Sequence, residues 1–150
     1  MKDDQRFMAL ALEQARQAYQ AGEVPIGAVL TIRGRVIAQD HNRTEELEDP
    51  TAHAEILCLS AATAFLRSKY LRSATLYVTL EPCPMCAGAL AWAQIGRLVY
   101  AAPDPERGFT RYQPGLLHPR TRWEQGPFAE EALALLQHFF RTKRRSTSRN

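Results

Sequence analysis

The sequence predicts an α/β protein of three layers, with a mixed sheet of about five strands held between helices. Three observations carry this. ATLYVTL at 74–80 and RLVYAA at 97–102 are short apolar runs rich in β-branched and aromatic residues, and read as strands. Helix-length segments alternate with them, which favours parallel strands joined by crossovers. PIGAVLTIRGRVIAQ at 25–39 reads as two strands about an Arg33-Gly34 turn, which adds a hairpin to the same sheet.

In chain order, Asp3 and Asp4 open a helix on which Phe7, Leu10, Ala11, Ala15 and Ala18 recur at helical spacing, and Gly22 stops it. The hairpin follows, then a polar loop over 40–51. From Ala52 to Leu66 the polar residues are His53, Glu55, Ser60 and Thr63; the segment reads as a helix buried nearly all round, with Thr51 as its cap. After the strand at 74–80, CPMCAGALAWAQ at 83–94 reads as a second apolar helix with Pro84 in its first turn. The strand at 97–102 leads into 103–128, which holds five of the nine prolines and reads as a long loop with a strand near 121–124. A last amphipathic helix starts near Ala129, with Glu130 and Glu131 in its first turn and basic residues in its last, matching the helix dipole.

The 150 residues suit one domain, assigned to 1–145, and a polar, basic tail at 146–150 is expected to be disordered. No apolar run approaches the roughly 18 residues of a membrane span, and the acids of MKDDQRFMAL do not suit a signal peptide, so a cytoplasmic protein is expected. Three cysteines in a reducing compartment read as ligands, a nucleophile or core filler, not disulfides. Net charge is +3, yet residues 141–150 carry five cations and no acid, which leaves −2 for the rest. That end of the chain is either a solvated face or a phosphate-binding extension.

His53 and Glu55 head an apolar helix, and a buried charge is costly unless it is paired or bound to a metal. Cys83 and Cys86 stand three apart at the start of another helix, so they share a face. A helix N-terminus favours thiolates, the form that binds metal. A strand between the two helices brings both N-termini to one sheet edge, where open α/β sheets bind ligands. The candidate site is therefore Zn2+ held by His53, Cys83 and Cys86. Cys58 lies on another face of its helix and reads as core. Three protein ligands leave a position for water, as in catalytic sites. An open zinc lowers the pKa of bound water and makes hydroxide available near neutral pH. Glu55, close to the metal without being a ligand, suits the proton traffic between that water, a ring nitrogen and a leaving amine. Either half alone is a weak signal; His-x-Glu followed by Pro-Cys-x-x-Cys is the zinc deaminase pattern.

EVPIGAVL, DPTAHAEI, TLYVTLEPCPMCAGAL and FFRTKRR together resemble the bacterial tRNA adenosine deaminases, from about residue 5 to about residue 145. The resemblance implies a cytidine-deaminase-like fold, a homodimer with one zinc per subunit, and conversion of the wobble adenosine in a tRNA anticodon stem-loop to inosine. By motif it implies His53, Cys83 and Cys86 as ligands and Glu55 as proton shuttle. It further implies that Asn42 hydrogen-bonds the flipped base, that Ile26 and Gly27 line the pocket, and that Ala54 offers its backbone N–H to the substrate. On pattern alone Asn42 is equally a turn residue, and Pro25 to Ala28 the start of a buried strand. An RNA substrate needs cations: Arg107 and Arg111, within a stretch that carries five arginines against Asp104 and Glu106, and Arg141, Lys143, Arg144 and Arg145 at the end of the chain. Phe109 and Tyr112 either stack on loop bases or pack inside. The chain departs from many family members over GFTRYQPGLLHPRT, 108–121, where they carry small residues, and its EPCPMC also occurs in guanine deaminases. A free-base or nucleoside deaminase, of guanine or cytosine type, is the alternative; a zinc-stapled RNA-binding module has no use for Glu55.

Overall fold

The computed structural model describes residues 2–112 and 115–148, without the side chains of Lys2 and 144–148. Four helices, α1 (Lys2–Gln20), α2 (Ala54–Leu66), α3 (Pro84–Ala93) and α4 (Ala129–Ser148), enclose five strands, β1 (Gly27–Ile32), β2 (Arg35–His41), β3 (Ala74–Leu80), β4 (Arg97–Ala102) and β5 (Arg122–Gln125). One 3-10 turn, Phe109–Arg111, interrupts the loop before β5. The sheet order is β2-β1-β3-β4-β5. β1 runs antiparallel to both β2 and β3, while β3, β4 and β5 are parallel.

Alternation along the strands builds the three layers. Leu30, Leu76, Val78, Leu98 and Tyr100 pack against α2 and α3, with Cys58, Ala62 and Leu90. Val29, Tyr77, Val99 and Ala101 pack the other way, with Phe7, Met8 and Ala11 of α1 and Ala132 of α4. Both sheet faces are covered, so the central strands read as near-continuous apolar runs. Arg33 and Gly34 take positive φ (51° and 75°) at the hairpin turn, the conformation a tight right-twisted hairpin requires. A Cβ on Gly27 would lie 2.1 Å from the Ala11 carbonyl, so only glycine lets α1 sit this close to β1.

The expected mixed sheet and helical layers are present: the hairpin joins the sheet through β1, which pairs antiparallel with β3, and the crossover-linked β3, β4 and β5 run parallel. Three details differ. Thr51 does not cap α2. Its N–H and hydroxyl both donate to Asp49 Oδ1, and the extended His53 holds the cap position without a capping hydrogen bond. Helix α2 is not buried nearly all round: its Phe65 is 74% exposed, and Trp92 of the apolar α3 is 85% exposed. Helix α4 continues through Ser148, so 146–148 extend it; 149 and 150 lie outside the described residues.

Candidate metal centre and catalytic cavity

The β3 crossover sets the site. β3 lies between α2 and α3 in the chain, and both helices begin at the sheet edge where the parallel strands end. His53 and Cys83 occupy the two N-cap positions with extended backbones, and Cys86 lies in the first turn of α3. His53 Nδ1 is 3.8 Å from Cys83 Sγ and 3.5 Å from Cys86 Sγ. The three donor atoms all fall within 4.8 Å of one another. Tetrahedral zinc with bonds of about 2.0–2.3 Å separates its ligands by roughly 3.6 Å, so this nitrogen and two sulfurs fit such an ion. No acid joins the cluster among the described residues. Cys58 is fully buried in the α2 core, its thiol directed at the Ala28 carbonyl, and burial pushes its pKa up.

The electrostatics of the cluster favour one thiolate. The hydrogen bond from Cys86, helped by His53, draws the Cys83 thiol down to about 4 against the opposing effect of burial. Cys86 is pushed up because it shares its proton with Cys83 and is buried. His53 is raised, first by its hydrogen bond with Cys83. Glu55, in the first turn of α2, is 4% exposed, and desolvation is the largest influence, raising its carboxyl. A carboxyl whose burial raises its pKa takes up a proton more readily than a free one, which suits a proton carrier.

His53, Glu55 and Cys83 form one wall of a cavity of about 620 Å3. Val24 and Ile26 line it ahead of β1, Asn42 just after β2, Pro103 to Arg107 after β4, and Leu133, Leu136 and Phe140 of α4 close the far side. The volume accommodates a purine with room for adjoining groups. Asn42 is 5% exposed, and its N–H donates to the Ile26 carbonyl, which fixes the two residues side by side. Ala54 is the first helical residue, buried between ligand and acid, and its N–H has no carbonyl partner within the helix. Gly27 is not among the lining residues; its N–H donates to Thr79 Oγ1 and its bare Cα faces α1.

Two buried glutamates outside the sequence reading brace the cavity's loops. Glu23 accepts from the Glu45 and Glu46 amides at 3.0 and 2.8 Å, holding the turn after Asn42. Glu81 accepts from the Asp104 amide, the Thr110 amide and the Thr110 hydroxyl at 3.1, 3.0 and 2.8 Å, holding the loop after β4. Their signal was a glutamate in an apolar run near a strand end, in EVPIG and LEPC. The α4 wall was also missed, because the apolar spacing of a helix does not separate core from cavity.

The proposed RNA contacts fall in different settings. Arg107 lines the cavity. Arg111 is in the 3-10 turn and donates to the Glu106 carbonyl. Arg141 borders an apolar hollow beside Leu133, Leu136 and Phe140. The Lys143 ammonium lies 5.4 Å from the centre of the Phe139 ring. Arg144 and Arg145 have side chains outside the described residues. Phe109 is buried, edge-on to Tyr100 and Trp123, whereas Tyr112 is exposed.

Comparison with known proteins agrees with this arrangement. The model of the MafB19-like deaminase family matches residues 2–144. A tRNA-specific adenosine deaminase of Agrobacterium fabrum is 46% identical, over 96% of this chain and 98% of that protein. One from Aquifex aeolicus is 43% identical, over 92% and 94%. A solved structure from work on A-to-I editing by tRNA:A34 deaminases at the wobble position superposes with a TM-score of 0.83 at 46% identity, covering 88% of this chain and 99% of that one. A guanine deaminase from Nitrosomonas europaea superposes at 0.77 with 29% identity, covering 89% and 82%. With its His-x-Glu and Pro-Cys-x-x-Cys pairs brought to one sheet edge, the chain belongs to the family of tRNA-specific adenosine deaminases.

Proposed function

We propose that the protein hydrolyses the 6-amino group of the wobble adenosine in a tRNA anticodon loop to give inosine, in a zinc-dependent reaction. The observation that carries this reading is a buried glutamate beside a three-donor metal cluster in one cavity, within a chain of the tRNA-specific adenosine deaminase family. His53, Cys83 and Cys86 would hold one Zn2+ per subunit, and a fourth protein ligand is lacking among the described residues, the arrangement of a catalytic rather than a structural site. When bound, zinc supplies an activated water at neutral pH.

The chain's own residues do the rest. The Glu55 carboxylate would take one proton from the attacking water and give it to the purine ring nitrogen, then take the second from the hydroxyl added at the ring carbon and give it to the departing amine, which leaves as ammonia. Burial that raises Glu55 makes the protonated form accessible for those two donations. Asn42 and Ile26 hold the extruded base, the Ala54 N–H is directed to it, and Leu80, Leu133, Leu136 and Phe140 exclude water around it. A loop nucleotide costs little to extrude, which suits an enzyme that works on a flipped base. Arg107, Arg111, Arg141, Lys143, Arg144 and Arg145 are the cations assigned to RNA phosphates.

A homodimer is part of the proposal. Phe65 and Leu66 of α2 and Met85 and Trp92 of α3 are exposed, an apolar surface of the kind that a partner covers. No helix among the described residues is long and apolar enough to cross a membrane, and tRNA substrates suit a cytoplasmic site of action. The guanine deaminase similarity keeps a free-base substrate as the second reading, with the higher identity on the tRNA side. The test is to offer the zinc-loaded protein an anticodon stem-loop with adenosine at the wobble position alongside free guanine, cytosine and adenosine. Inosine at that position with the small molecules untouched supports the reading. Ammonia from a free base with the stem-loop intact overturns the substrate.

A further inference from the structure

At the sheet edge opposite the catalytic cavity, the starts of β3, β4 and β5 enclose a second cleft of about 390 Å3. Arg72, Arg97, Arg120 and Arg122 line it with His118, and no acid does. Arg97 is already engaged, by the carboxylates of Asp4 and Glu124. Arg72, Arg120 and Arg122 make no ion pair among the described residues. Three uncompensated guanidinium groups sharing one hollow repel one another, and an anion between them removes that repulsion.

The cleft is built, not a chance meeting of surface side chains. Thr121 donates to the Ile95 carbonyl at 2.6 Å, and the Arg122 N–H donates to the Gly96 carbonyl. These bonds tie the start of β5 to that of β4. A Cβ on Gly96 would lie 2.3 Å from the Arg72 carbonyl, so glycine allows the chain before β3 to close against β4. Gln94 accepts from Arg72 Nε at 2.8 Å and sets the direction of that guanidinium, while the His118 ring accepts from the Arg120 amide.

We propose that this cleft binds phosphate groups of the RNA backbone outside the anticodon loop, a second contact remote from the reaction. The inference rests on the tRNA reading above. The strands that separate the two sites have six or seven residues, about 20 Å. A free base or nucleoside in the cavity cannot reach across that span, whereas the body of a tRNA can. Guanidinium groups suit this ligand because their fork matches phosphate oxygens.

The test compares the zinc-loaded wild type with the variant Arg72→Ser/Arg120→Ser/Arg122→Ser. Binding of full-length tRNA is measured at several salt concentrations, together with inosine formation at saturating tRNA. The proposal expects Kd for tRNA to rise about tenfold at 0.1 M salt and the salt slope to fall by about 2, since each lost phosphate contact removes close to one unit. Inosine kcat at saturation stays within about twofold. Unchanged Kd and slope overturn the proposal. Orthophosphate or pyrophosphate, titrated in parallel, separates the other source of the ligand: binding that the variant loses while tRNA affinity stays the same overturns the RNA assignment. If the triple variant does not fold, Arg120→Glu replaces it, because Arg120 is exposed and makes no side-chain bond among the described residues; the same shifts are expected in smaller measure, and their absence overturns the proposal. Failure of the tRNA reading is distinct, as the wild type then makes no inosine whatever the cleft binds.

Discussion

The cavity has two kinds of wall, and each contains a buried glutamate. On the loop side, Glu81 is surrounded by donors: two backbone amides and a hydroxyl reach its two oxygens, and Gly108 lets the chain pass directly over them. Glu23 is held in the same way by two amides of the other loop. On the helix side, Glu55 lies in the first turn of α2 beside His53 and Cys83, and burial dominates its surroundings. All three carboxyl groups are similarly inaccessible to water. What separates them is the donor set. A carboxylate fixed by several N–H groups is a structural fastener, whereas one whose charge is left costly can gain and lose a proton during a reaction.

Removing a ligand from the helix wall gives the largest effect. Cys83→Ala or Cys86→Ala should lose bound zinc and with it all measurable inosine formation, while Cys58→Ala keeps both; zinc content by elemental analysis decides it. Retention of full zinc in either ligand variant breaks the site as described. Next comes the loop wall. In Glu81→Gln one accepting oxygen becomes a donor facing N–H groups, so the protein should lose about 1–3 kcal/mol of stability in a denaturant melt. Its zinc content stays intact, and kcat/KM falls about 10–100-fold as the loop over 103–110 loosens. Glu23→Gln should act in the same direction but less, with KM rising severalfold, because it fastens two amides and touches no residue of the metal cluster.

The smallest effect on activity is expected at the far edge. Asp4 accepts from Arg97 and from the Tyr77 hydroxyl, and these bonds lower its pKa in the folded protein. Because the folded value lies below the unfolded one, the stabilisation is present above about pH 4 and is lost as pH falls through the folded value. Asp4→Asn should therefore flatten the acid limb of the stability–pH curve, cost about 1–2 kcal/mol at pH 7, and leave inosine formation unaltered. Thermal melts of both proteins between pH 3 and pH 7 check this; an unchanged acid limb removes Asp4 as the source.

The wall built on the starts of α2 and α3 was legible in the sequence and the loop wall was not, for a physical reason. His-x-Glu and Cys-x-x-Cys are local patterns whose spacing places them on helix starts, and β3, β4 and the start of α4 fall where the apolar runs place them. The Arg33-Gly34 turn was legible because glycine readily takes the positive φ that the tight hairpin turn requires at Gly34. Glu81 meets Thr110, and Glu23 meets Glu45, across more than twenty residues of chain, so no window of sequence reveals either bond. Thr51 failed as a cap because α2 begins at Ala54, which puts the cap at His53, and the Thr51 hydroxyl is committed to Asp49. β5 begins one residue later than read and is exposed on both faces, so no apolar alternation marks its edge.

The most direct test of the account sets the two walls against each other in one assay. Glu55→Gln and Glu81→Gln are purified, their zinc content is measured, and inosine formation is followed on the same anticodon stem-loop. Glu55→Gln should hold one zinc per subunit, melt no lower than the wild type, and lose at least about a thousandfold in kcat, while Glu81→Gln remains measurably active. A Glu55→Gln protein that retains zinc and still forms inosine near the wild-type rate would contradict the assignment of Glu55 as the proton carrier.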